Sequence, residues 1–227
     1  MPPSNSKGGA ARPRPSAAKP QRNTGLIVVI AVAAVAVLAI GVAVISQLGK
    51  GGTSDKQTQP VVVEGTALPS YAAGTAAADD PGTGATPPML EGKSFDGTPV
   101  TIDPGDGKAK LVMFVAHWCP HCQAEVPRIV EWQQQGLLPS GVDVYTVATS
   151  TTSSRPNYPP SEWLKDAAWP FPTMADSADS MAAQAWGLTS FPYFVAVGAD
   201  GKVVQRTSGE LTQQQLADLM SSVAAEG

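Results

Sequence analysis

The sequence predicts an α/β fold, in which a sheet of mainly parallel strands carries helices on its faces. The run Lys110 to Ala116 is apolar after its first residue, as in a central strand covered on both sides. Apolar residues then recur at helical spacing at Val126, Ile129 and Val130, and Val142 to Ala148 is a second apolar run of strand length. A strand, a helix and a strand in succession form a βαβ unit, which favours a parallel sheet.

The first 48 residues differ in charge from the rest of this 227-residue chain. They contain five basic residues and no acidic residue, whereas the remainder contains ten basic and 19 acidic residues. Residues 1–25 are rich in proline and small polar residues, which predicts a disordered basic tail. Nucleic acid is excluded as a partner, because the tail lacks interleaved aromatic residues and the remainder is acidic.

The segment after the tail has the length and apolarity of a membrane span. Leu26 to Ile45 comprises 20 apolar residues, and a helix of that length crosses roughly 30 Å of hydrocarbon. We predict a transmembrane helix over residues 26–48 that acts as an uncleaved signal anchor; a cleavable signal peptide and a buried core helix are the alternatives. With the basic tail in the cytoplasm, we expect a single-pass cell-membrane protein whose C-terminal domain is extracytoplasmic.

Composition then divides the rest of the chain into two parts. Residues 49–88 are rich in Gly, Ala and Thr and predict a flexible linker. Residues 89–227 predict the folded domain, which opens with a β-hairpin over Ser94 to Ile102 and a turn at Asp96-Gly97. The helix that follows the first apolar strand is expected to end near Gly136.

Shorter elements are predicted after the second apolar strand. They are a helix from an N-cap at Ser161 to Ala168, a strand over Phe171 to Ala175, a helix over Ser177 to Trp186, a hairpin of Phe194 to Val197 with Lys202 to Arg206, and a last helix from near Leu211 to Ala225 with Thr212 as a possible cap.

The only two cysteines of the chain, Cys119 and Cys122, stand where the first apolar strand meets its helix. A helix N-terminus stabilises a thiolate, so such a pair can cycle between dithiol and disulfide. We expect Cys119 to be the attacking thiolate and Cys122 the more buried resolving thiol. Pro120 suits the first helical turn. His121 can stabilise the thiolate, which favours the reduced form and makes the disulfide a stronger oxidant.

Other interpretations of the cysteine pair are a structural disulfide and a zinc site. A loop this small gives a disulfide little stabilisation, and the only histidines, His117 and His121, are poorly spaced for tetrahedral zinc. Haem attachment is excluded because Gln123, not histidine, follows the second cysteine. We therefore expect no metal and no cofactor beyond the redox-active pair Cys119–Cys122.

Several motifs together resemble the thioredoxin-fold proteins, and specifically their membrane-anchored TlpA/ResA-like branch. The likeness covers about residues 88 to 225. The matching segments are Phe95-Asp96-Gly97, Leu111 to Ala116 leading into Trp118-Cys119-x-x-Cys122, Glu125 with Pro127, Trp186-Gly187-Leu188-x-x-Phe191-Pro192, and Asp200-Gly201.

This resemblance implies a thioredoxin-like fold, with a central mixed sheet flanked by helices. It implies a cis proline at Pro192 beside the cysteines, and substrate contacts at Phe191, Pro192 and Trp118. It also implies that Glu125 affects the protonation of the cysteines and that Pro127 kinks the active-site helix. The family's buried acid before the first cysteine is replaced by Met113, which leaves Glu125 as the nearby acid.

We therefore predict a membrane-anchored protein thiol-disulfide oxidoreductase whose oxidising direction is favoured. The dipeptide between the cysteines, Pro120-His121, resembles that of DsbA-type oxidants, although only 70 positions separate Cys122 from Pro192, too few for the helical domain of that class. The expected partners are extracytoplasmic proteins with thiols or disulfides and a membrane redox partner that recycles the pair. Alternatives are a thiol reductant, for example in cytochrome c maturation, a copper-delivery or other metal module, and an envelope adaptor.

Overall fold

The computed structural model describes residues 56–224, which form a mixed sheet with helices on both faces. The elements in chain order are β1 (Val62–Glu64), a 3₁₀ turn (Ala77–Asp79), β2 (Met89–Lys93), β3 (Pro99–Ile102), β4 (Lys110–Val115), α1 (Pro120–Gln134), β5 (Asp143–Ala148), α2 (Pro160–Asp166), β6 (Thr173–Ala175), α3 (Met181–Ala185), β7 (Tyr193–Val197), β8 (Val203–Ser208) and α4 (Gln213–Ala224).

The predicted tail, the predicted transmembrane helix and the first residues of the predicted linker lie outside the described residues, as does the predicted end of the last helix at Ala225. Between residues 56 and 224, no helix combines the length and the apolarity needed to cross a membrane.

Strand β4 lies inside the sheet, whose order is β1-β2-β6-β5-β4-β7-β8, with β3 paired to β2. All six of its residues are buried. Leu111, Met113 and Val115 face a core layer shared with α1 and α4, whereas Val112 and Phe114 face the opposite layer. The continuous apolar run is therefore explained by burial on both faces, and the predicted central strand is confirmed.

The prediction of a mainly parallel sheet is wrong, because only two of the strand pairings among the described residues are parallel. Strand β5 runs parallel to β4 and to β6, but β7 runs antiparallel to β4 and to β8. The connection from β7 to β8 is a short turn at residues 198–202, and so short a turn can join only antiparallel strands.

The hairpin predicted near the start of the domain is present, with an earlier first strand. Strand β2 begins at Met89 and pairs with β3. The N–H of Ser94 donates to the carbonyl oxygen of Thr98 over 2.8 Å, and Asp96 Oδ1 accepts the N–H of Thr98 over 2.9 Å. The turn therefore lies at Asp96-Gly97, as predicted.

The prediction of a flexible linker over 49–88 is wrong for residues 56–88, which pack on the domain. Strand β1 extends the sheet by pairing with β2. Leu68 and Tyr71 are buried, and their N–H groups donate to carbonyl oxygens of Ala185 and Gly187 over 2.9 and 2.8 Å. We call residues 56–88 the strap. A few buried apolar side chains and backbone hydrogen bonds hold it on the domain. Its Gly- and Ala-rich composition gives no sequence pattern that predicts these contacts.

Two predicted helix starts are corrected. Helix α2 begins at Pro160, so Ser161 lies in its first turn rather than at its N-cap. Helix α3 is shorter than the predicted Ser177 to Trp186, because Ser180 has a left-handed backbone at φ 57°. The Asp176 carboxylate accepts the N–H groups of Ala182 and Ala183 over 2.9 and 3.2 Å. A side chain from outside the helix therefore satisfies its first N–H groups.

The predicted cap of the last helix is confirmed. Thr212 Oγ1 accepts the N–H of Gln215 over 3.2 Å, and Gln215 Oε1 accepts the N–H of Thr212 over 2.8 Å. This reciprocal arrangement is a capping box, in which Thr212 is the N-cap and α4 starts at Gln213.

Candidate active site

The cysteine pair lies where β4 ends and α1 begins. Cys119 is the N-cap residue of α1 and has an extended backbone, and Pro120 occupies the first helical position, where a missing N–H is no loss. The N–H of Cys119 donates to the carbonyl oxygen of Ala116 over 3.0 Å, which closes the turn between strand and helix. Both cysteines are free thiols in this structure.

The two thiols occupy different environments although they are only three residues apart. Cys119 retains 7 % of its exposure at the helix start, whereas Cys122 is completely buried one turn further in. Burial raises the pKa of the Cys122 thiol well above its usual range, with further contributions from Cys119 and the Glu125 carboxylate. Burial therefore favours the thiol form of Cys122, and Cys119 is the more exposed of the two cysteines.

Glu125 lies completely buried one helical turn after Cys122. Its Oε1 accepts the N–H of Leu211 over 2.9 Å, and its Oε2 forms an ion pair with Arg128. Burial nevertheless raises the pKa of this carboxyl above its usual value. A buried acid with a raised pKa beside a buried thiol can exchange a proton with it.

His121 has Glu210, rather than a cysteine, as its hydrogen-bond partner. Its Nδ1 lies 2.7 Å from Oε1 of Glu210, and 65 % of the imidazole side chain is exposed. The hydrogen bond from His121 lowers the pKa of Glu210, and Arg128 adds to this effect. The carboxylate therefore offsets positive charge on the imidazole, which limits what His121 can contribute to a nearby thiolate.

Two of the predicted substrate-contact residues, Trp118 and Phe191, form an apolar surface next to the pair, whereas the third, Pro192, is buried. The Trp118 and Phe191 rings meet edge to face, with centroids 5.8 Å apart, and both rings pack on the core layer that contains the cysteines. The Phe191–Pro192 peptide bond is cis, as the family resemblance implied. The indole N–H of Trp118 donates to the carbonyl oxygen of Ser150 over 2.8 Å, so the strand β5 end and the cysteine motif are joined.

His117 anchors the loop that follows β5. It is buried, its Nδ1–H donates to the carbonyl oxygen of Pro156 over 2.6 Å, and its Nε2 accepts the N–H of Thr152 over 3.4 Å. Burial lowers the pKa of this imidazole, so it is neutral. The anchored loop places the Arg155 guanidinium 5.1 Å from the centroid of the Trp118 ring.

Arg128, Glu210, Arg155 and the anchoring role of His117 escaped sequence reasoning. Arg128 carried a local signal, since it follows Glu125 by one helical turn. Glu210 and Arg155 carried none, because folding brings them to the cysteine motif from distant positions. Between residues 56 and 224, no group of three or more His, Cys, Asp or Glu side chains is arranged to hold a metal ion.

The sequence of this chain matches the model of a known protein family. The family model described as Redoxin matches residues 64–222. The chain belongs to the Redoxin family. The match begins inside the strap, so residues 64–88 belong to the domain that the family model describes.

Two curated relatives are thiol-disulfide proteins by name, which confirms the predicted relationship to thiol-disulfide oxidoreductases. The chain is 30 % identical over 122 residues to the thiol:disulfide interchange protein DsbE homologue of Paracoccus denitrificans, covering 52 % of this chain and 63 % of that protein. It is 26 % identical over 135 residues to the thiol-disulfide oxidoreductase ResA of Bacillus thuringiensis, covering 59 % of this chain and 71 % of that protein. The match thus spans less than two thirds of the DsbE homologue.

A solved structure confirms the thioredoxin-like fold. The crystal structure of a thiol:disulfide interchange protein of the thioredoxin family from Chlorobium tepidum superposes with a TM-score of 0.51 at 23 % identity. The superposition covers 62 % of this chain and 97 % of that one. The central mixed sheet and its flanking helices are therefore those of the predicted fold.

Proposed function

We propose that this protein is a thiol-disulfide oxidoreductase that acts on protein cysteines through Cys119 and Cys122. One observation carries the proposal: Cys119 caps α1 at the edge of the surface, whereas Cys122 is buried one turn inside. This asymmetry separates an attackable sulfur from a resolving one, which a structural disulfide does not need.

The exchange in the oxidising direction begins with the Cys119–Cys122 disulfide. A substrate thiolate attacks Sγ of Cys119, the S–S bond breaks, and Cys122 leaves as a thiolate that takes a proton from the Glu125 carboxyl. A second substrate thiolate then attacks the substrate sulfur of the mixed disulfide and expels Cys119 as a thiolate. Two electrons pass from the substrate to the pair; reduction of a substrate disulfide is the same sequence reversed.

Burial explains why Glu125 is suited to this proton transfer. Cys122 has no access to solvent, and its raised pKa requires it to be protonated soon after it leaves. Glu125 lies one turn away on the same helix, and burial raises its pKa. The difference between the pKa of Glu125 and that of Cys122 is therefore smaller than for an exposed carboxyl, which favours proton transfer between them. Glu125 therefore assumes the role that the family's missing acid, replaced by Met113, would have filled.

The substrate chain docks on the surface made by Trp118 and Phe191, where the buried cis-proline Pro192 follows Phe191. Trp118 directly precedes Cys119 and packs against Phe191. An extended segment that carries a cysteine can lie along this apolar surface with its sulfur at Cys119. Its side chains would also meet Arg155, whose guanidinium lies over the Trp118 ring.

The oxidising direction is part of the proposal and is supported by the Pro120-His121 dipeptide. A second candidate is a thiol reductant, which is favoured by the contact of His121 with Glu210, since this carboxylate offsets the imidazole charge. The reduction potential distinguishes them: an oxidant should lie near −120 to −180 mV, whereas a value below about −230 mV contradicts the oxidising direction.

Attachment to a membrane is likewise a proposal, supported by the 20-residue apolar run after a basic tail. The domain would act outside the cytoplasm, where disulfides persist, and a membrane redox partner would recycle the pair. Cell fractionation with external protease should recover the intact chain in membranes and degrade its C-terminal domain. Recovery in the soluble cytoplasmic fraction would contradict this placement.

Substitution of each cysteine tests the exchange reaction. C119S should abolish thiol-disulfide exchange with a cysteine-containing peptide, because the attackable sulfur is lost. With a peptide that contains a disulfide, Cys119 of C122S should still attack and then accumulate as a mixed disulfide, because Cys122 is absent to resolve it. Mass spectrometry detects the added peptide mass. Full exchange activity in C119S would overturn the proposed function.

A further inference from the structure

Glu210 contacts two residues of the active-site helix at once. It lies in the connection from β8 to α4, and each carboxylate oxygen has its own partner. Oε1 is 2.7 Å from Nδ1 of His121, and Oε2 accepts a hydrogen bond from Nη2 of Arg128 over 2.7 Å. A residue 82 to 89 positions away along the chain therefore connects the first and third turns of α1.

The same connection also reaches the buried acid of the site. The N–H of Leu211, next to Glu210, donates to Glu125 Oε1 over 2.9 Å, and Nη2 of Arg128 forms an ion pair with Glu125 Oε2. One guanidinium nitrogen is therefore shared by two carboxylates. Glu125 is completely buried, whereas 34 % of the Glu210 side chain and 40 % of the Arg128 side chain are exposed.

The contact with Glu210 also determines which nitrogen of the His121 ring donates a hydrogen bond and how the ring is oriented. A carboxylate can only accept hydrogen bonds, so Nδ1 of His121 must carry the proton. This hydrogen bond limits rotation of the ring. His121 is two residues after Cys119, so Glu210 orients a polar side chain that is close in sequence to the attackable sulfur.

We propose that Glu210 is a positioning residue that links the surroundings of the two cysteines. It orients His121 on the Cys119 side, and it shares Arg128 with Glu125 on the Cys122 side. The proposal rests on the proposed function, because it gives this network a role in thiol-disulfide exchange. Its structural consequence, coupling between Glu210 and Glu125, can be measured without that reaction.

The direction of the coupling follows from the charges around Glu125. Helix α1 supplies Arg128 and Cys122, and the β8–α4 connection supplies the Leu211 N–H and Glu210. The negative charge of Glu210 raises the pKa of Glu125, and Arg128 lowers it. Without the charge of Glu210, Arg128 pairs with Glu125 as its only carboxylate. The pKa of Glu125 should therefore fall, and the carboxyl should lose its proton at lower pH.

E210Q in the full chain tests the proposal, with E131Q as the matched control. Glu131 lies on the exposed side of the same helix and contacts Gln135 instead of the site. We expect the Glu125 titration, followed by carboxyl ¹³C NMR, to move down by about 0.5 pH unit in E210Q, the size expected for partly exposed charges. The acidic limb of the exchange rate against pH should move in the same direction. E131Q should change neither measurement.

Several outcomes would overturn the proposal or assign a failure elsewhere. Glu125 titrations that coincide in wild type, E210Q and E131Q would overturn it. If E210Q folds poorly, E210D replaces it, because aspartate retains the charge on a shorter side chain. An altered exchange profile with an unchanged Glu125 titration would then support the orientation of His121 by Glu210. No change in either measurement would overturn the proposal. A wild-type chain without exchange activity would refute the proposed function alone, because the NMR titration still reports the coupling.

Discussion

Two clusters of acids and arginine in this protein differ in how completely their charges are compensated. Asp80 in the strap pairs with Arg206 of β8, and both side chains are buried. In the active site, Arg128 is half exposed and is divided between Glu125 and Glu210. The first cluster is a closed pair with one charge on each side, whereas the second has two carboxylates for one guanidinium.

The guanidinium N–H groups of Arg206 donate to Asp80 and to two further acceptors. Its Nε donates to Asp80 Oδ2 over 2.7 Å, its Nη2 donates to Asp80 Oδ1, and its Nη1 donates to the carbonyl oxygen of Pro69 over 2.7 Å and to the Tyr193 hydroxyl. Burial acts to raise the pKa of Asp80, but the hydrogen bonds from Arg206 and the Gly82 N–H hold it below its usual value.

The shared cluster has the opposite effect on its buried acid. Glu125 also accepts a backbone N–H and pairs with an arginine, yet burial raises its pKa above its usual value, and the negative charge of Glu210 adds to this effect. A fully compensated charge keeps the protein folded, whereas an incompletely compensated one can still exchange a proton. The same residue types therefore stabilise the fold in one place and form a group that can exchange a proton in the other.

Removal of the Asp80 charge should have the largest effect. D80N leaves Arg206 buried without a counter-charge, and breaking such a pair costs about 3–5 kcal/mol of unfolding free energy. Urea unfolding at pH 7 measures this loss. D79N is the control, since Asp79 is exposed beside it. Equal stability of D80N and D79N would contradict the interpretation of the strap as a fastened part of the fold.

The pH dependence of that loss has a definite sign. The pKa of Asp80 is lower in the folded state than in the unfolded state, so its stabilisation is complete above the unfolded pKa and disappears as pH falls through the folded pKa. The stability difference between wild type and D80N should therefore shrink below about pH 4. A difference that grows towards low pH would contradict the assignment.

Neutralising Glu125 should affect the chemistry more than the fold. E125Q keeps an oxygen for the Leu211 N–H but cannot exchange a proton with Cys122, so the step in which Cys122 leaves or attacks should slow by about 10²-fold. Stopped-flow measurement with a cysteine-containing peptide gives this rate. E131Q on the same helix is the control, and equal rates in the two variants would argue against a role for Glu125 in proton transfer.

The stability of E125Q should respond to pH in the opposite sense to that of D80N. The folded pKa of Glu125 is raised, so the stabilisation it gives is present below its unfolded pKa and is lost as pH rises through the folded pKa. E125Q lacks this loss, and its stability relative to wild type should increase above about pH 4. The unfolding temperatures of E125Q, D80N and wild type, measured from pH 4 to pH 8, test these opposite pH dependences.

Sequence reasoning succeeded where the signal is contiguous. The buried strand, the proline after Cys119 and the spacing to Cys122 are neighbours in sequence, and each favours the strand-to-helix junction that the structure shows. The cis proline at Pro192 came from the family resemblance. These parts could be predicted because local backbone preferences and burial pattern agree there.

The charge clusters could not be predicted, because their members meet only in the folded chain. Asp80 and Arg206 are 126 positions apart, and Glu210 is 82 positions from Arg128. The strap was mistaken for a linker because its contacts come from a few residues in a Gly- and Ala-rich segment. Such anchors leave no periodic pattern that distinguishes them from exposed residues.

A small substitution in the strap should test how tightly the closed pair is packed. A Cβ at Gly82 would lie 2.4 Å from the Arg206 guanidinium, so G82A must displace that side chain. Overpacking of this kind costs about 1–3 kcal/mol. T83A at the exposed neighbouring position is the control, and urea unfolding compares them. Unchanged stability in G82A would mean that Arg206 has room to move.

Arg155 extends the comparison to an arginine that forms no ion pair within residues 56–224. Its guanidinium lies over the Trp118 ring, and an exposed cation–π contact contributes about 0.5–1 kcal/mol. R155Q should therefore loosen Trp118 and raise the KM for a peptide substrate about two- to threefold, without changing kcat. K165Q removes an equal charge from exposed α2 and is the control. If both variants raise KM equally, the effect is one of net charge, and the contact between Arg155 and Trp118 has no part in substrate binding.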